Sequence, residues 1–230
     1  MARSIIRTED TGKIFEMAIC LAYHIPYDGI YKYGLEEPQK LVQRLTDGLC
    51  TKFPPCVHTA RGGGLHDYTA VEKEFYLSAK TTKKGGKVAP QYVGQAQPAE
   101  FCKRMGIETM PVDALKRWIQ ENVGRVLPTL FSYTFPEHGA VIYYNKEKNT
   151  IKYIIVTKNI PWDTFEYKWT KGWAEWNNSS TLKVHKSDSH SWNSILEVQF
   201  HSASRTNMAV RWCFEELLRQ FPDCFEISAF

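Results

Sequence analysis

Two residues in the first half of the chain, Asp67 and Lys80, have the types and the spacing to do chemistry on a phosphate. Asp67-Tyr-Thr-Ala-Val71 and Glu74-Phe-Tyr-Leu-Ser-Ala-Lys80 read as the two strands of a short hairpin, with Glu72 and Lys73 in the turn. Pairing Val71 with Glu74 sets Asp67 opposite Ser78, and a slip of two residues sets it opposite Lys80. In either register the side-chain period of two puts Asp67, Ser78 and Lys80 on one face. A carboxylate and an ammonium side by side can divide a hydrolysis between them. The carboxylate holds a divalent cation, for which Mg²⁺ with oxygen ligands at ~2.1 Å is suited. The lysine orients or deprotonates a water, or steadies charge developing on phosphate. The competing reading is a surface ion pair on a half-exposed hairpin, an interaction that contributes little.

Other elements must hold this hairpin. Residues Thr11–Tyr23 predict a helix, because Ile14, Phe15, Ala18, Ile19 and Ala22 recur at helical spacing and Pro26 and Gly29 follow. Pro38–Thr46 predicts a second, with Leu41, Val42 and Leu45 on its apolar face, and Pro111–Val123 a third. Ala140–Tyr144 and Ile151–Thr157 form a hairpin across a charged Asn-Lys-Glu-Lys-Asn turn. Thr164–Trp169, Leu182–His185 and Ile195–His201 are strand candidates. Met208–Phe221 reads as a closing helix, with Ala209, Trp212, Cys213, Leu217 and Phe221 on one side. No internal repeat and no long linker interrupt the chain, which points to one mixed α/β domain.

Asp67 followed across a hairpin by Ser78-Ala-Lys80 resembles the PD-(D/E)XK nuclease superfamily, which includes many type II restriction endonucleases. The resemblance covers mainly residues 12 to 100. It implies a restriction-endonuclease-like core, a central mixed β-sheet flanked by helices. On that reading residues 1–230 form a single domain, with a catalytic core over about 10–160 and a DNA-contacting or structural part over about 161–230. In that family an aspartate opens one strand, and the next strand ends in an acid, a variable residue and a lysine. A glutamate on an N-terminal helix often completes the metal site. Glu16, within Gly12-Lys-Ile-Phe-Glu-Met-Ala, fits that role, and its other reading is a helix flank facing solvent. Asp67, Glu16 and Ser78 are thus the implied metal residues, and Lys80 the residue that positions the attacking water. The chain departs from the pattern at His66, which stands in place of a proline, and at Ser78, which stands in place of the second acid. A serine contributes a hydroxyl or a bound water but no charge. Glu74 shares the face and is an alternative acid, while Glu72 belongs to the turn.

Three features near the hairpin agree with a phosphate substrate. Arg61-Gly-Gly-Gly-Leu-His-Asp67 is a glycine-rich approach to the aspartate. Between Lys73 and Pro90 there are five lysines against Glu74, a local charge of +4 that equals the net charge of the whole chain. Lys83, Lys84 and Lys87 in that stretch are candidate contacts to a DNA backbone. Gln91, Gln95 and Gln97 follow, able to read adenine edges or to sit in solvent. Further on, Gln199, His201, Ser202, Ser204, Arg205 and Asn207 gather at an expected strand-to-helix junction, where a helix start would suit a phosphate. Arg211 beyond it is placed either to touch DNA or to pair with Glu215. Trp162, Trp169, Trp173, Trp176 and Trp192 crowd one region, with base stacking, a subunit interface and plain core packing as the uses to be separated.

Composition bounds the rest. Lys plus Arg number 29 and Asp plus Glu 25 in 230 residues, so a nucleic-acid partner is allowed but not demanded by charge. An aromatic content of 13% argues against disorder. The N-terminus lacks the apolar run of a signal peptide, and the most apolar stretches, Ile14–Ile25 and Val126–Phe135, are too short or too polar to span a bilayer. The expectation is a cytoplasmic protein of microbial or viral origin with no membrane partner. Six cysteines in such a chain suggest free thiols, although Cys50, Cys56, His58 and His66 could gather around zinc.

The resemblance implies a Mg²⁺-dependent, sequence-specific endonuclease that cuts double-stranded DNA and leaves 5′-phosphates. Two antiparallel strands call for two matched sites, hence a homodimer, and a cognate DNA methyltransferase would belong to the same system. Two alternatives remain open: a non-catalytic nucleic-acid-binding module of the same fold, and a protein-interaction domain whose lysines and tryptophans meet an acidic partner.

Overall fold

The computed structural model describes residues 8–60, 64–186, 191–201 and 207–230. It is mixed α/β, as expected, and divides into two compact units that interleave along the chain. The first takes the chain up to Gly86, then Phe135–Val156 and Glu226–Phe230. The second takes Lys87–Thr134 and Thr157–Phe225.

In the first unit, α1 (Thr8–Tyr23) and α2 (Glu36–Gly48) precede strands β1 (Cys56–His58), β2 (Tyr68–Ala70) and β3 (Tyr76–Thr82). Strands β5 (Gly139–Asn145), β6 (Thr150–Val156) and β11 (Phe225–Ala229) complete a six-stranded sheet in the order β1-β2-β3-β5-β6-β11. The sheet is mixed, because β3 runs parallel to β5 while β2 and β3, like β5 and β6, are antiparallel. The apolar stripes read from the sequence do the packing. Phe15, Ala18 and Ile19 of α1 and Leu41 and Leu45 of α2 are buried against Tyr68, Leu77, Ala140 and Ile142 of the sheet. Phe15 stacks on Tyr144 with ring centroids 5.3 Å apart. Each of the Phe, Leu and Ile side chains among them contributes roughly 1.5–3 kcal/mol on removal from water.

β5 can lie against β3 only because residue 139 is glycine. A Cβ there would fall on the Tyr76 carbonyl oxygen, 2.8 Å from the Tyr76 carbonyl carbon and 2.9 Å from Pro136 Cβ. Backbone cannot yield as a flexible side chain does, so Gly139→Ala is expected to lower unfolding stability by about 2 kcal/mol or more, measured as a fall in the denaturant midpoint. A midpoint equal to that of the parent would show that the β3–β5 seam is looser than described.

The second unit contains β4 (Lys87–Val88), α3 (Pro98–Arg104), α4 (Val112–Glu121), α5 (Val123–Ser132), β7 (Glu166–Trp169), β8 (Ser179–His185), β9 (Asn193–Phe200), β10 (Met208–Cys213) and α6 (Phe214–Gln220). Its strands form an antiparallel sheet in the order β4-β10-β9-β8-β7. Here the structure corrects the expectation of one helix over Met208–Phe221. Met208, Val210 and Trp212 alternate onto the buried side of a central strand, and the helix begins only at Phe214, with Glu215 and Glu216 in its first turn. The pattern around Trp212 and Cys213 satisfied both periods, and pairing with β4 on one side and β9 on the other decided for a strand. The tryptophans mostly belong to this unit's core: Trp176 and Trp212 are fully buried, and Trp162 stacks on Trp212 at 6.1 Å. Trp173 is exposed, and Trp192 lies beneath the Lys168 ammonium at 4.1 Å.

Candidate active site at the parting of β2 and β3

The hairpin pairs in the expected register, Tyr68 with Leu77 and Thr69 with Tyr76. Its turn is longer than two residues, because the last ladder bond runs from Ala70 N–H to the Phe75 carbonyl and Val71–Glu74 loop out. At the other end the ladder becomes irregular. The Asp67 N–H donates to the Leu77 carbonyl (3.1 Å), and its own carbonyl accepts from Thr59 N–H (2.8 Å). β2 is only three residues long, so β3 runs on past it with main-chain groups that the β2 ladder does not reach. Asp67 Oδ2 takes one of them, accepting the Ala79 N–H at 2.7 Å. A strand N–H lies close to the plane of its sheet, so the Asp67 carboxylate is turned into the notch where the two strands part. It does not stand upright on the face of Ser78 and Lys80, as strict alternation predicts.

The charges around that notch can be ranked. Burial pushes the Asp67 carboxyl above the usual carboxylate range, the Lys80 ammonium opposes that rise, and the negative charge of Glu16 adds to it. Asp67, Lys80 and Glu16 are therefore electrostatic neighbours. Lys80 is only 9% exposed, so it is not a solvated surface lysine. His66 stacks on Tyr76 at 4.4 Å, and burial together with Lys80 holds its imidazole below the ordinary range. Ser78 is buried on β3, in register with Val141 of β5.

Glu16 faces inward from α1 and does not stand on a solvent-facing flank. Its Oε2 accepts a hydrogen bond from Tyr27 Oη at 3.1 Å and lies 3.8 Å from His58 Nε2. Tyr68 Oη donates to the Glu16 backbone carbonyl at 2.7 Å, which ties that turn of α1 to the start of β2. Tyr27 and His58 were not legible as partners of Glu16. Both lie in loop and short-strand segments without periodicity, and only the tertiary fold brings them to α1.

Hard oxygen donors and a deficit of positive charge are what a divalent cation requires, and Glu16 and Asp67 supply both. Among the described residues no group of three or more His, Cys, Asp and Glu side chains converges. A cation here would therefore rest on two carboxylates, as Mg²⁺ commonly does when waters and substrate phosphates complete its shell. The zinc alternative does not form. Cys50 Sγ donates to the Ala22 carbonyl at 3.7 Å, burial pushes the Cys56 thiol up to about 12, and His58 Nδ1 is occupied by the Asp28 N–H at 2.8 Å.

The proposed DNA contacts divide between the units. Lys83 and Lys84 are exposed at the end of β3, followed by Gly85 and Gly86, whose φ values of +79° and +59° turn the chain. Lys87, also exposed, opens β4 and bonds Glu197 at 2.8 Å. Gln95 and Gln97 are exposed, and Gln91 is half-buried with its N–H on the Tyr133 carbonyl at 2.9 Å. Asn207 is half-buried between β9 and β10, so the expected helix start for a phosphate is replaced by a strand connection. Arg205, Ser202, Ser204 and the Arg61–Gly63 approach lie outside the described residues. Arg211 sits on β10 and pairs with Glu197 at 3.0 Å.

The chain is 40% identical over 228 residues to the type II restriction enzyme CviAII of Paramecium bursaria Chlorella virus 1. The match takes in 97% of this chain, and the chain spans 64% of the length of that relative. No family model matches the chain, and no solved structure matches it.

Proposed function

We propose that this protein is a Mg²⁺-dependent, sequence-specific endonuclease of the PD-(D/E)XK type that hydrolyses double-stranded DNA and leaves 5′-phosphates. The observation that carries the reading is 40% identity to a type II restriction enzyme over nearly the whole chain, in a protein whose Asp67, Lys80 and Glu16 are electrostatic neighbours. Glu16 and Asp67 hold the cation, assisted by the hydroxyl of Ser78. When bound, Mg²⁺ lends Lewis-acid stabilisation to a phosphodiester. Lys80 orients the attacking water and offsets charge growing on the phosphate. The Ala79 N–H keeps the Asp67 carboxylate fixed, so that no reorganisation is needed when substrate arrives. Lys83, Lys84 and Lys87 engage the backbone, and Gln91, Gln95, Arg205 and Asn207 are the proposed further contacts. Cutting both strands calls for a homodimer, protection of the host for a cognate methyltransferase, and access to the genome for a cytoplasmic location.

A supercoiled-plasmid digest tests the reading directly. Discrete fragments are expected with Mg²⁺ and intact plasmid with chelator. Plasmid that is bound but left whole in Mg²⁺ would favour the non-catalytic module, for which the serine in place of the second acid is the specific argument. Plasmid neither bound nor cut would favour the protein-interaction domain.

A further inference from the structure

Resting on the reading of Glu16 as a metal carboxylate, we infer that His58 is the positioning residue for that carboxylate, acting through a hydrogen bond from its Nε2–H. The side chain of His58 is completely buried. A backbone N–H can only donate, so the bond from Asp28 N–H to Nδ1 at 2.8 Å leaves Nδ1 as the acceptor and the ring proton on Nε2. A ring in that state cannot give Nε2 to a metal, but it can donate to an anion.

Nε2 is buried with no hydrogen-bond partner, and Glu16 Oε2 lies 3.8 Å from it. That gap exceeds a hydrogen bond, and an adjustment of under ~1 Å closes it. The imidazole is held by aromatic rings, Tyr27 at 4.6 Å and Tyr68 at 4.9 Å between centroids. Both rings have a second connection to Glu16: Tyr27 Oη donates to the same Oε2, and Tyr68 Oη to the main-chain carbonyl. These three side chains thus make a built cradle around Glu16, Tyr27 and His58 at its carboxylate and Tyr68 at its main chain. A buried donor without an acceptor opposes folding, a cost that a purely structural histidine has no reason to bear. Groups behind a metal-binding side chain fix its direction, and their removal typically weakens metal binding about 10- to 100-fold.

The experiment measures Mn²⁺ binding to the full chain by electron paramagnetic resonance, with no DNA and no turnover, and compares Glu16→Gln, His58→Asn, His58→Phe and His58→Gln. Asparagine keeps an acceptor for Asp28 but cannot reach Glu16. Phenylalanine keeps only the ring. Glutamine places an amide N–H close to the position of Nε2. Expected is a loss of Mn²⁺ affinity of about tenfold or more for Glu16→Gln, His58→Asn and His58→Phe, with His58→Gln within about threefold of the parent. If Glu16→Gln loses affinity while His58→Asn and His58→Phe do not, the role of His58 is refuted and Glu16 keeps its place. If His58→Gln is as weak as His58→Asn, the hydrogen-bond donor is not what matters and the inference is also refuted. If Glu16→Gln binds like the parent, Glu16 is no metal residue and both readings fall.

Discussion

Lys80→Ala is expected to cut plasmid DNA at least about 10³-fold more slowly than the parent while retaining DNA binding within a few-fold. Two contributions vanish together. The proposed water loses the group that aims it, and the phosphate loses a cation in a site largely shielded from solvent. Positioned groups of either kind are worth about 10²–10⁴ in rate, so the combined loss is not subtle. Lys80→Arg is not expected to rescue, because a planar guanidinium on a buried strand cannot replace a compact ammonium. There is a structural cost as well. Lys80 is the cation that opposes the rise of the Asp67 carboxyl, and its removal leaves a buried carboxylate uncompensated. The thermal midpoint of Lys80→Ala should therefore fall at neutral pH. A variant that cuts at the parental rate would remove Lys80 from the mechanism.

Asp67→Asn is expected to abolish cleavage to a similar degree and yet to stabilise the metal-free protein. The sign follows from the direction of the shift. Burial raises the Asp67 carboxyl, so the folded protein takes up this proton more readily than the unfolded chain does. The ionised form therefore opposes folding. That cost is fully present above the raised pKa and disappears as the pH falls through it toward the ordinary carboxylate range. Asparagine removes the charge, and its amide oxygen can still accept the Ala79 N–H. The gain at neutral pH is expected on the order of 1 kcal/mol, or about 2–4 °C in Tm for a chain of this length, and should fade on acidification. Millimolar Mg²⁺ should reverse the order, because a ligand at 100 times its Kd stabilises by about 2.7 kcal/mol and the asparagine variant binds it poorly. A metal-free Asp67→Asn protein that melts well below the parent at pH 7 would show that the carboxylate is there for structure.

The strands carrying Asp67 and Lys80 were legible because they are short, alternating and adjacent, and their register came out as the side-chain pattern required. α1 and α2 were legible for the same kind of reason, a continuous apolar stripe on each. What escaped was set at long range. The aim of the Asp67 carboxylate depends on where β2 stops, and no local pattern in Tyr68–Ala70 says that. Tyr27 and His58 meet Glu16 only after loops and a three-residue strand have folded against α1. β10 read as a helix because Ala209, Trp212 and Cys213 also satisfy the helical period, and only its two neighbours in the sheet decide otherwise.

The parallel seam between β3 and β5 constrains the order in which the protein can be made. β3 ends at Thr82, and its partner begins at Gly139, after the whole first segment of the second unit, Lys87–Thr134. On the ribosome the strand bearing Lys80 must wait, one flank unsealed, until that intervening polypeptide has emerged. Non-local pairing of this kind incurs its loop-closure entropy before any reward and folds slowly. A half-synthesised chain thus holds Asp67 and Lys80 but lacks the strand that braces them, so DNA-cutting capacity, on the proposed reading, arrives late in translation.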